Sequence, residues 1–306
     1  WTEIGGVQPN PRLSLAEEGV KQALDFKADF ILAVGGGSVI DTAKGIAHGT
    51  ANPDTKLWDI WTEQAPLTKS LPVGVVLTIP AAGSEMSDSA VLTNEEIGRK
   101  AGINTPFNRV KFAIMNPELT YTLPRYQVTC GIVDIMMHTL DRYFSSVLGN
   151  ETTDALAEAI LRTVVRFADV ALERPDDYEA RSELMWCGSI SHNGLTGLGR
   201  VADFAVHQLG HELSGHYGIA HGASLTIMWP AWAKRVWPAD PSRFGRLGRN
   251  VFQITGEGPE DSALACIGAV EDFFWRLGLP VTLSASEIGT VSQAELEIIS
   301  WQIGEL

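Results

Sequence analysis

A continuous apolar run over residues 28–34 is followed directly by three glycines and then by a helical pattern. A strand of this kind has no polar side to turn to water, so it belongs inside a sheet that is covered on both faces, as parallel sheets are. Residues 73–79 and 110–115 are two further strand candidates, separated from the first by helical or loop patterns. This order predicts an α/β domain built on a parallel sheet.

The strand-like runs end near residue 124, and the rest of the chain has helical patterns only. These lie at residues 128–144, 152–172, 181–191, 201–215, 223–229 and 262–277. Proline acts as a helix stop at Pro230, Pro238, Pro241 and Pro280. We therefore expect an α/β domain over residues 1–124 and a helical domain over residues 125–306, with a site in the cleft between them.

Two serines are predicted to begin helices in the first domain. Ser14 with Glu17 three residues later has the spacing of a capping box. Ser38 follows the glycines and is expected to cap a helix over residues 38–49.

Composition excludes several classes of partner. The 37 acidic and 23 basic residues give a net charge of −14, which argues against binding to nucleic acid or to anionic lipid. The apolar runs, such as residues 30–34, are too short to span a bilayer. Three scattered cysteines, Cys130, Cys187 and Cys266, form neither a disulfide framework nor a metal motif. With no leader visible, we expect a cytoplasmic protein with reduced thiols.

The turn after the first strand is suited to binding a phosphate group. Gly36, Gly37 and Ser38 would let backbone N–H groups approach an anion at the start of a helix. A second strand leads into small residues and hydroxyls in the same way, with Thr78 and Ser84 near its end. From spacing alone, each turn is explained as well by an ordinary tight loop.

The histidines suggest a metal site. Four of the seven lie within fifteen residues, namely His207, His211, His216 and His221. His207 and His211 are four residues apart and share a helical face, as do Asp134 and His138 upstream. Imidazole and carboxylate ligands suit iron, zinc or nickel. Spacing alone does not choose among the four clustered histidines. His48 and His192 stand apart and are expected to be ordinary, hydrogen-bonded or exposed histidines.

Taken in order, several stretches resemble the iron-containing alcohol dehydrogenase family, in its branch of butanol dehydrogenases and NADPH-dependent aldehyde reductases. The resemblance extends over essentially the whole chain, and the matching stretches are residues 5–12 (GGVQPNPR), 34–44 (VGGGSVIDTAK), 77–85 (LTIPAAGSE), 116–124 (NPELTYTLP), 131–138 (GIVDIMMH) and 193–222.

The resemblance implies a Rossmann-like dinucleotide-binding domain followed by an all-α metal-binding domain. It implies that Fe2+ or Zn2+ is bound by Asp134, His138, His207 and His221. His211 would relay a proton or contact the substrate. The residues implied in cofactor binding are Gly36, Gly37, Ser38, Asp41, Thr78, Ser84 and Lys100.

The same resemblance implies hydride transfer between NAD(P)H and a small aldehyde or primary alcohol. NADP(H) is expected in preference to NAD(H), and a homodimer is expected. Members of the family carry further sequence before Gly5, so the first strands of the dinucleotide domain are expected to be missing here. Two alternatives stay open. One is a metal- and NAD-dependent lyase of the dehydroquinate synthase type, although only Arg200 is near the histidines to bind a phosphate. The other is a truncated, non-catalytic metal-binding remnant.

Overall fold

The predicted parallel sheet is present in the computed structural model, which describes residues 1–147, 149–292 and 295. Its strands are β1 (Ile31–Gly35), β2 (Val73–Leu77) and β5 (Phe112–Ile114), in the order β1-β2-β5. All pairs are parallel, with Ala33 opposite Val75 and Val75 opposite Ala113. The carboxyl ends of β1 and β2 therefore lie side by side, and the two loops predicted to bind phosphate are neighbours.

Helices α1 (Leu13–Phe26), α2 (Gly37–Ala51) and α3 (Leu57–Trp61) complete the first part of the chain. Ile40 and Ala43 of α2 pack on Ala33, Val75 and other buried residues of the sheet. The described residues leave the opposite face of the sheet exposed, with Leu32, Val34, Phe112 and Ile114 each about half accessible. The alternation of buried and exposed side chains along β1 thus differs from the continuous burial predicted.

A second, antiparallel sheet was not predicted from the sequence. It is a hairpin of β3 (Ser89–Asn94) and β4 (Arg99–Asn104), turning through Gly98 at a φ of 63°. Leu92 and Ile103 of the hairpin pack in a small core with α1 and α3. This hairpin carries Lys100, one of the residues implied in cofactor binding.

The helical half follows the predicted pattern closely. Its helices are α4 (Arg125–Tyr143), α5 (Glu151–Glu173), α6 (Tyr178–His192), α7 (Ala205–Tyr217), α8 (His221–Val236), α9 (Pro241–Leu247) and α10 (Pro259–Arg276). They enclose one large hydrophobic core that includes Val133, Leu161 and Phe274. No helix among the described residues is long and apolar enough to cross a membrane. The boundary at residue 124 stays a prediction.

Several local predictions were wrong. Pro230 lies inside α8 rather than ending it, because burial of Trp229 and Ala233 on either side outweighs one lost backbone hydrogen bond. Ser14 does not cap α1, which begins at Leu13, because its hydroxyl instead donates to Glu95. Ser38 does not cap α2, because Gly36 holds that position.

The start of α7 also differs from the prediction. The helix begins at Ala205 rather than near residue 201, since Phe204 adopts a left-handed conformation with a φ of 55°. A non-glycine residue in this region interrupts the helical backbone.

A buried ion cluster joins α5 to α9 and to the loop before α7. The Asp154 carboxylate, with a side chain 4% exposed, accepts two hydrogen bonds of 2.6 Å from Arg243 and another from Arg200. The Arg243 guanidinium also lies 3.6 Å from the centre of the Tyr143 ring. Because both arginines are largely shielded from water, removal of the carboxylate would leave buried positive charges unpaired.

We predict that Asp154→Asn lowers the free energy of unfolding by about 3 kcal/mol, the cost of breaking a buried ion pair on one side. Asp169 on the same helix is the matched control. Its side chain is 45% exposed and lies 3.3 Å from Arg276, so Asp169→Asn should cost less than about 1 kcal/mol. Urea unfolding at neutral pH measures both, and equal effects would contradict the importance of the buried cluster.

Candidate metal and cofactor site

Asp134 brings the predicted metal-binding residues together. Its Oδ1 atom lies 3.5 Å from Nδ1 of His138, 3.6 Å from Nε2 of His207 and 3.8 Å from Nε2 of His221. One turn of α4 separates Asp134 from His138, His207 comes from α7, and His221 is the first residue of α8. Three helices therefore bring three imidazoles to one carboxylate, and ligand atoms of Asp134, His138 and His207 all lie within 4.8 Å of one another.

These four residues share a second property. Each has a buried polar atom without a hydrogen-bond partner among the described residues, namely Oδ1 of Asp134, Nδ1 of His138, Nε2 of His207 and Nδ1 of His221. A buried polar atom without a partner costs about 1–3 kcal/mol, so such atoms are rare and seldom cluster. A divalent cation would satisfy several of them at once, and the set of one carboxylate and three imidazoles fits iron or zinc.

The protonation states of the histidines differ. Burial holds the pKa of His138 well below its ordinary value, and neighbouring His192 and His207 lower it further. Burial and the charge of Lys100 do the same to the pKa of His221. Burial alone would also lower the pKa of His207, but the carboxylates of Asp141 and Asp134 outweigh it and raise this pKa to about 9. Without a cation, His207 is therefore the protonated member of the cluster at neutral pH.

His211 and Lys100 lie beside the cluster. The ring centre of His211 is 4.9 Å from that of His221 and 6.4 Å from that of His207. Burial and Lys100 hold the pKa of His211 well below its ordinary value, so its imidazole is neutral. Lys100 donates a hydrogen bond of 3.2 Å to Asn10, and burial lowers its pKa to about 8 despite the attraction of Asp134 and Asp41.

The remaining histidines divide into three cases. His216 lies near the end of α7, with Nε2 3.9 Å from Glu212. His48 is buried and hydrogen-bonded to Ser70 and Asn108, as predicted for an ordinary histidine. The same prediction for His192 was wrong. Its ring centre lies 4.0 Å from that of His138, and its buried Nδ1 atom has no partner. The sequence separation of His192 from the other histidines concealed this contact.

The glycine-rich turn lies close against the second loop. A Cβ atom at Gly36 would come within 2.0 Å of the Ile79 side chain, and one at Gly37 within 3.1 Å of Ala82. Thr78 donates its backbone N–H to the carbonyl of Gly35 at 3.0 Å. Ser38 is the second residue of α2, beside these glycines. Because Gly36 and Gly37 have no side chains, the turn presents bare backbone at the N-terminus of α2. Such a backbone surface suits a diphosphate.

The side chains of Asp41 and Ser84 turn inward rather than lining this surface. The Ser84 hydroxyl donates to Oδ1 of Asp41 at 2.5 Å, and the Val91 N–H donates to Oδ2 at 3.0 Å. The fully buried ammonium of Lys44 donates to the Ser84 carbonyl and hydroxyl and to the Ser89 carbonyl. These contacts fasten α2 to the second loop and to β3. Nothing in the sequence distinguishes Lys44 from an exposed lysine.

The second loop also contacts the helical half of the molecule. The Ser189 hydroxyl of α6 donates to the buried carboxylate of Glu85 at 2.5 Å. A Cβ at Gly131 of α4 would lie 2.4 Å from the carbonyl oxygen of Pro80, and one at Gly83 would lie 2.6 Å from that of Gly188. These close approaches bring the glycine-rich turn and the histidine cluster to opposite sides of one loop.

Asp141 is a residue of the site that the sequence analysis missed. Its Oδ2 atom lies 2.5 Å from Nδ1 of His207, and both side chains are buried. It stands seven residues after Asp134 and three after His138, so α4 places all three on one face. This spacing was the signal that could have identified it.

Comparisons with known proteins agree with the resemblance. Residues 1–117 match the family described as iron-containing alcohol dehydrogenase, and residues 128–299 match the C-terminal part of the Fe-containing alcohol dehydrogenase family. NADH-dependent butanol dehydrogenase A of Clostridium acetobutylicum is 38% identical over 302 residues, which cover 98% of this chain and 77% of that protein.

Two further comparisons extend this result. The NADPH-dependent aldehyde reductase YqhD of Escherichia coli is 36% identical over 285 residues, which cover 92% of this chain and 73% of that protein. The crystal structure of an NADH-dependent butanol dehydrogenase A from Thermotoga maritima superposes with a TM-score of 0.94 at 37% identity. It is matched over 100% of this chain and 76% of its own.

The raised pKa of His207 generates a prediction about metal binding. A cation that binds this cluster must displace one proton from His207, whereas His138 and His221 are already neutral. Affinity for Zn2+ should therefore rise with pH by close to tenfold per pH unit below a pH of about 9 and level off above it. Calorimetry in buffers of different ionisation enthalpy should count one proton released per ion at pH 7. An affinity that does not change between pH 7 and pH 9 would show that His207 is not displaced.

Proposed function

The chain belongs to the iron-containing alcohol dehydrogenase family, and from this premise we propose that it is a metal-dependent oxidoreductase that interconverts small aldehydes and primary alcohols with NAD(P)H. The observation that carries the proposal is the approach of Asp134 Oδ1 to within 3.8 Å of Nδ1 of His138, Nε2 of His207 and Nε2 of His221. These residues would hold one divalent cation, Fe2+ or Zn2+.

When bound, the cation supplies Lewis acidity toward the substrate oxygen, and the reduced nicotinamide supplies the hydride. The chain contributes the surroundings of that chemistry. With three neutral imidazoles and one carboxylate as ligands, a divalent cation would keep a net positive charge, which favours an alkoxide over an alcohol. Half-buried Lys100 adds positive charge nearby, since it interacts with Asp134.

We assign His211 to proton transfer or substrate contact. Its imidazole is neutral and half-buried, and it lies one helical turn beyond His207 on the same face of α7. A neutral imidazole can both donate and accept a proton, as a relay between the substrate oxygen and solvent requires.

We propose that the dinucleotide binds across the turn formed by Gly36, Gly37 and Ser38, with Thr78 beside it and Lys100 toward the ribose. The inward contacts of Asp41 and Ser84 support a different role for these two residues. They would hold the two loops at the correct separation, and they would not contact the cofactor through their side chains.

Finer properties follow from the branch that the chain resembles. We propose a preference for NADP(H), a homodimeric state, a cytoplasmic location and a domain boundary near residue 124. The related butanol dehydrogenase is named for NADH and the related aldehyde reductase for NADPH. Steady-state kinetics with both cofactors therefore decide the preference. The three free cysteines fit a reducing compartment.

The lyase alternative has little support, because the relatives named above are alcohol dehydrogenases and an aldehyde reductase. The alternative of a non-catalytic remnant is tested directly by an activity assay.

The assay is oxidation of NADPH with butanal after anaerobic loading with Fe2+ or, separately, Zn2+. We expect metal-dependent turnover that falls at least about a thousandfold in His207→Ala, because the loss of one ligand greatly weakens metal retention. His48→Ala is a histidine control outside the cluster. Metal binding without turnover, with either NADPH or NADH, would favour the remnant.

The glycine turn gives an independent prediction. Gly36→Ala places a methyl group against Ile79 and should raise the KM for the dinucleotide at least about tenfold, because the second loop must shift away. Gly268→Ala is the control, since a Cβ there meets nothing within 4 Å. Zn2+ affinity should be unchanged in both variants. An unchanged KM in Gly36→Ala would place the dinucleotide elsewhere.

A further inference from the structure

The side chain of Asp141 contacts His207, a candidate metal ligand, at the ring nitrogen that does not face Asp134. Its Oδ2 atom lies 2.5 Å from Nδ1 of His207, and the two side chains are 2% and 6% exposed. The Nδ1–H group donates to the carboxylate, so the lone pair of a neutral His207 ring resides on Nε2. That Nε2 atom lies 3.6 Å from Oδ1 of Asp134 and has no hydrogen-bond partner in the part of the chain that the structure describes.

We propose that Asp141 is a positioning residue of the metal site, which fixes the tautomer and ring orientation of His207 and strengthens it as a ligand. A carboxylate bonded to the distal nitrogen makes an imidazole more basic and holds its ring in place. The inference rests on the proposed function, in that it requires His207 to bind a cation. It extends that function beyond the four ligand residues.

The surroundings of Asp141 leave its carboxylate available for this role. The adjacent guanidinium of Arg142 directs its hydrogen bonds to the backbone carbonyls of His138 at 2.7 Å and Ser191 at 3.3 Å. The Asp141 backbone carbonyl accepts the N–H of Asp203 at 3.2 Å, just before α7 begins. Asp141 thus joins α4 to the start of α7 through its backbone and to His207 through its side chain.

The test is the affinity of Asp141→Asn for Zn2+, measured by competition with a chelator at pH 9.5, where protons compete least for imidazole nitrogens. The amide keeps the size of the side chain but removes its charge. We expect Zn2+ to bind about 10- to 100-fold more weakly than in the unaltered chain. The visible absorption of bound Co2+ should also shift, because the ligand field of His207 changes.

Asp203→Asn is the matched control. Asp203 is a neighbouring carboxylate that accepts a hydrogen bond from Trp232 at 3.2 Å. Its replacement should change Zn2+ affinity less than about twofold. The melting temperature of each metal-free variant separates a loss of packing from a loss of metal affinity.

A double-mutant cycle shows whether Asp141 acts through His207. In a His207→Ala background, Asp141→Asn should have no further effect on the residual Zn2+ affinity. If Asp141→Asn does not fold, Asp141→Glu and Asp141→Gln form a second pair of equal size that differs in charge. The Glu variant should then bind Zn2+ at least about tenfold more tightly than the Gln variant.

Two failures are distinguishable. If the unaltered chain binds no Zn2+ and shows no turnover, the proposed function itself fails. If the unaltered chain binds Zn2+ and Asp141→Asn binds it equally well, only the role of Asp141 is overturned. Equal effects of Asp141→Asn with and without His207 would likewise contradict it.

Discussion

The site at the junction of α4, α7 and α8 is governed by the free-energy cost of burying polar atoms without hydrogen-bond partners. At the junction of α4, α7 and α8, Oδ1 of Asp134 lies within 3.8 Å of a ring nitrogen of His138, His207 and His221. Each of these four side chains has a buried polar atom with no hydrogen-bond partner among the described residues. Each such atom costs about 1–3 kcal/mol, and repulsion among like-charged or like-polar groups adds to this. In the proposed function, a divalent cation bound among these side chains would offset that cost, which a chain of marginal stability could not otherwise tolerate easily. The positions of the three helices fit that proposal.

A second group of buried polar side chains has a structural role. Lys44, Asp41 and Ser84 satisfy one another and the surrounding backbone, and the Glu85 and Ser189 side chains join that loop to α6. Because these groups are paired internally, they are unsuited to binding a ligand through their side chains. Their effect is to hold the glycine-rich turn at a fixed position relative to the histidine cluster. Hydride transfer depends on such positioning, since small displacements of reacting groups reduce rates strongly.

The sequence predicted the features that local pattern determines. The change from alternating strands and helices to helices alone was visible in hydrophobic periodicity, and the helix register placed Asp134 beside His138. Contacts between distant segments were not visible. His192 contacts His138 because α6 packs on α4. Ser14 donates its hydroxyl to Glu95 and therefore does not cap α1. The hairpin carrying Lys100 was missed because β3 buries only alternate side chains and β4 (RKAGIN) contains few apolar residues. Pro230 shows that tertiary burial can override a strong local signal.

The central claim is that one divalent cation binds among Asp134, His138, His207 and His221. Anomalous diffraction at the zinc absorption edge, from crystals of the chain loaded with Zn2+, tests it most directly. The account predicts a single strong peak about 2.0–2.2 Å from a nitrogen of each histidine and from an oxygen of Asp134. A crystal with stoichiometric zinc whose anomalous peak lies away from these four side chains would contradict it.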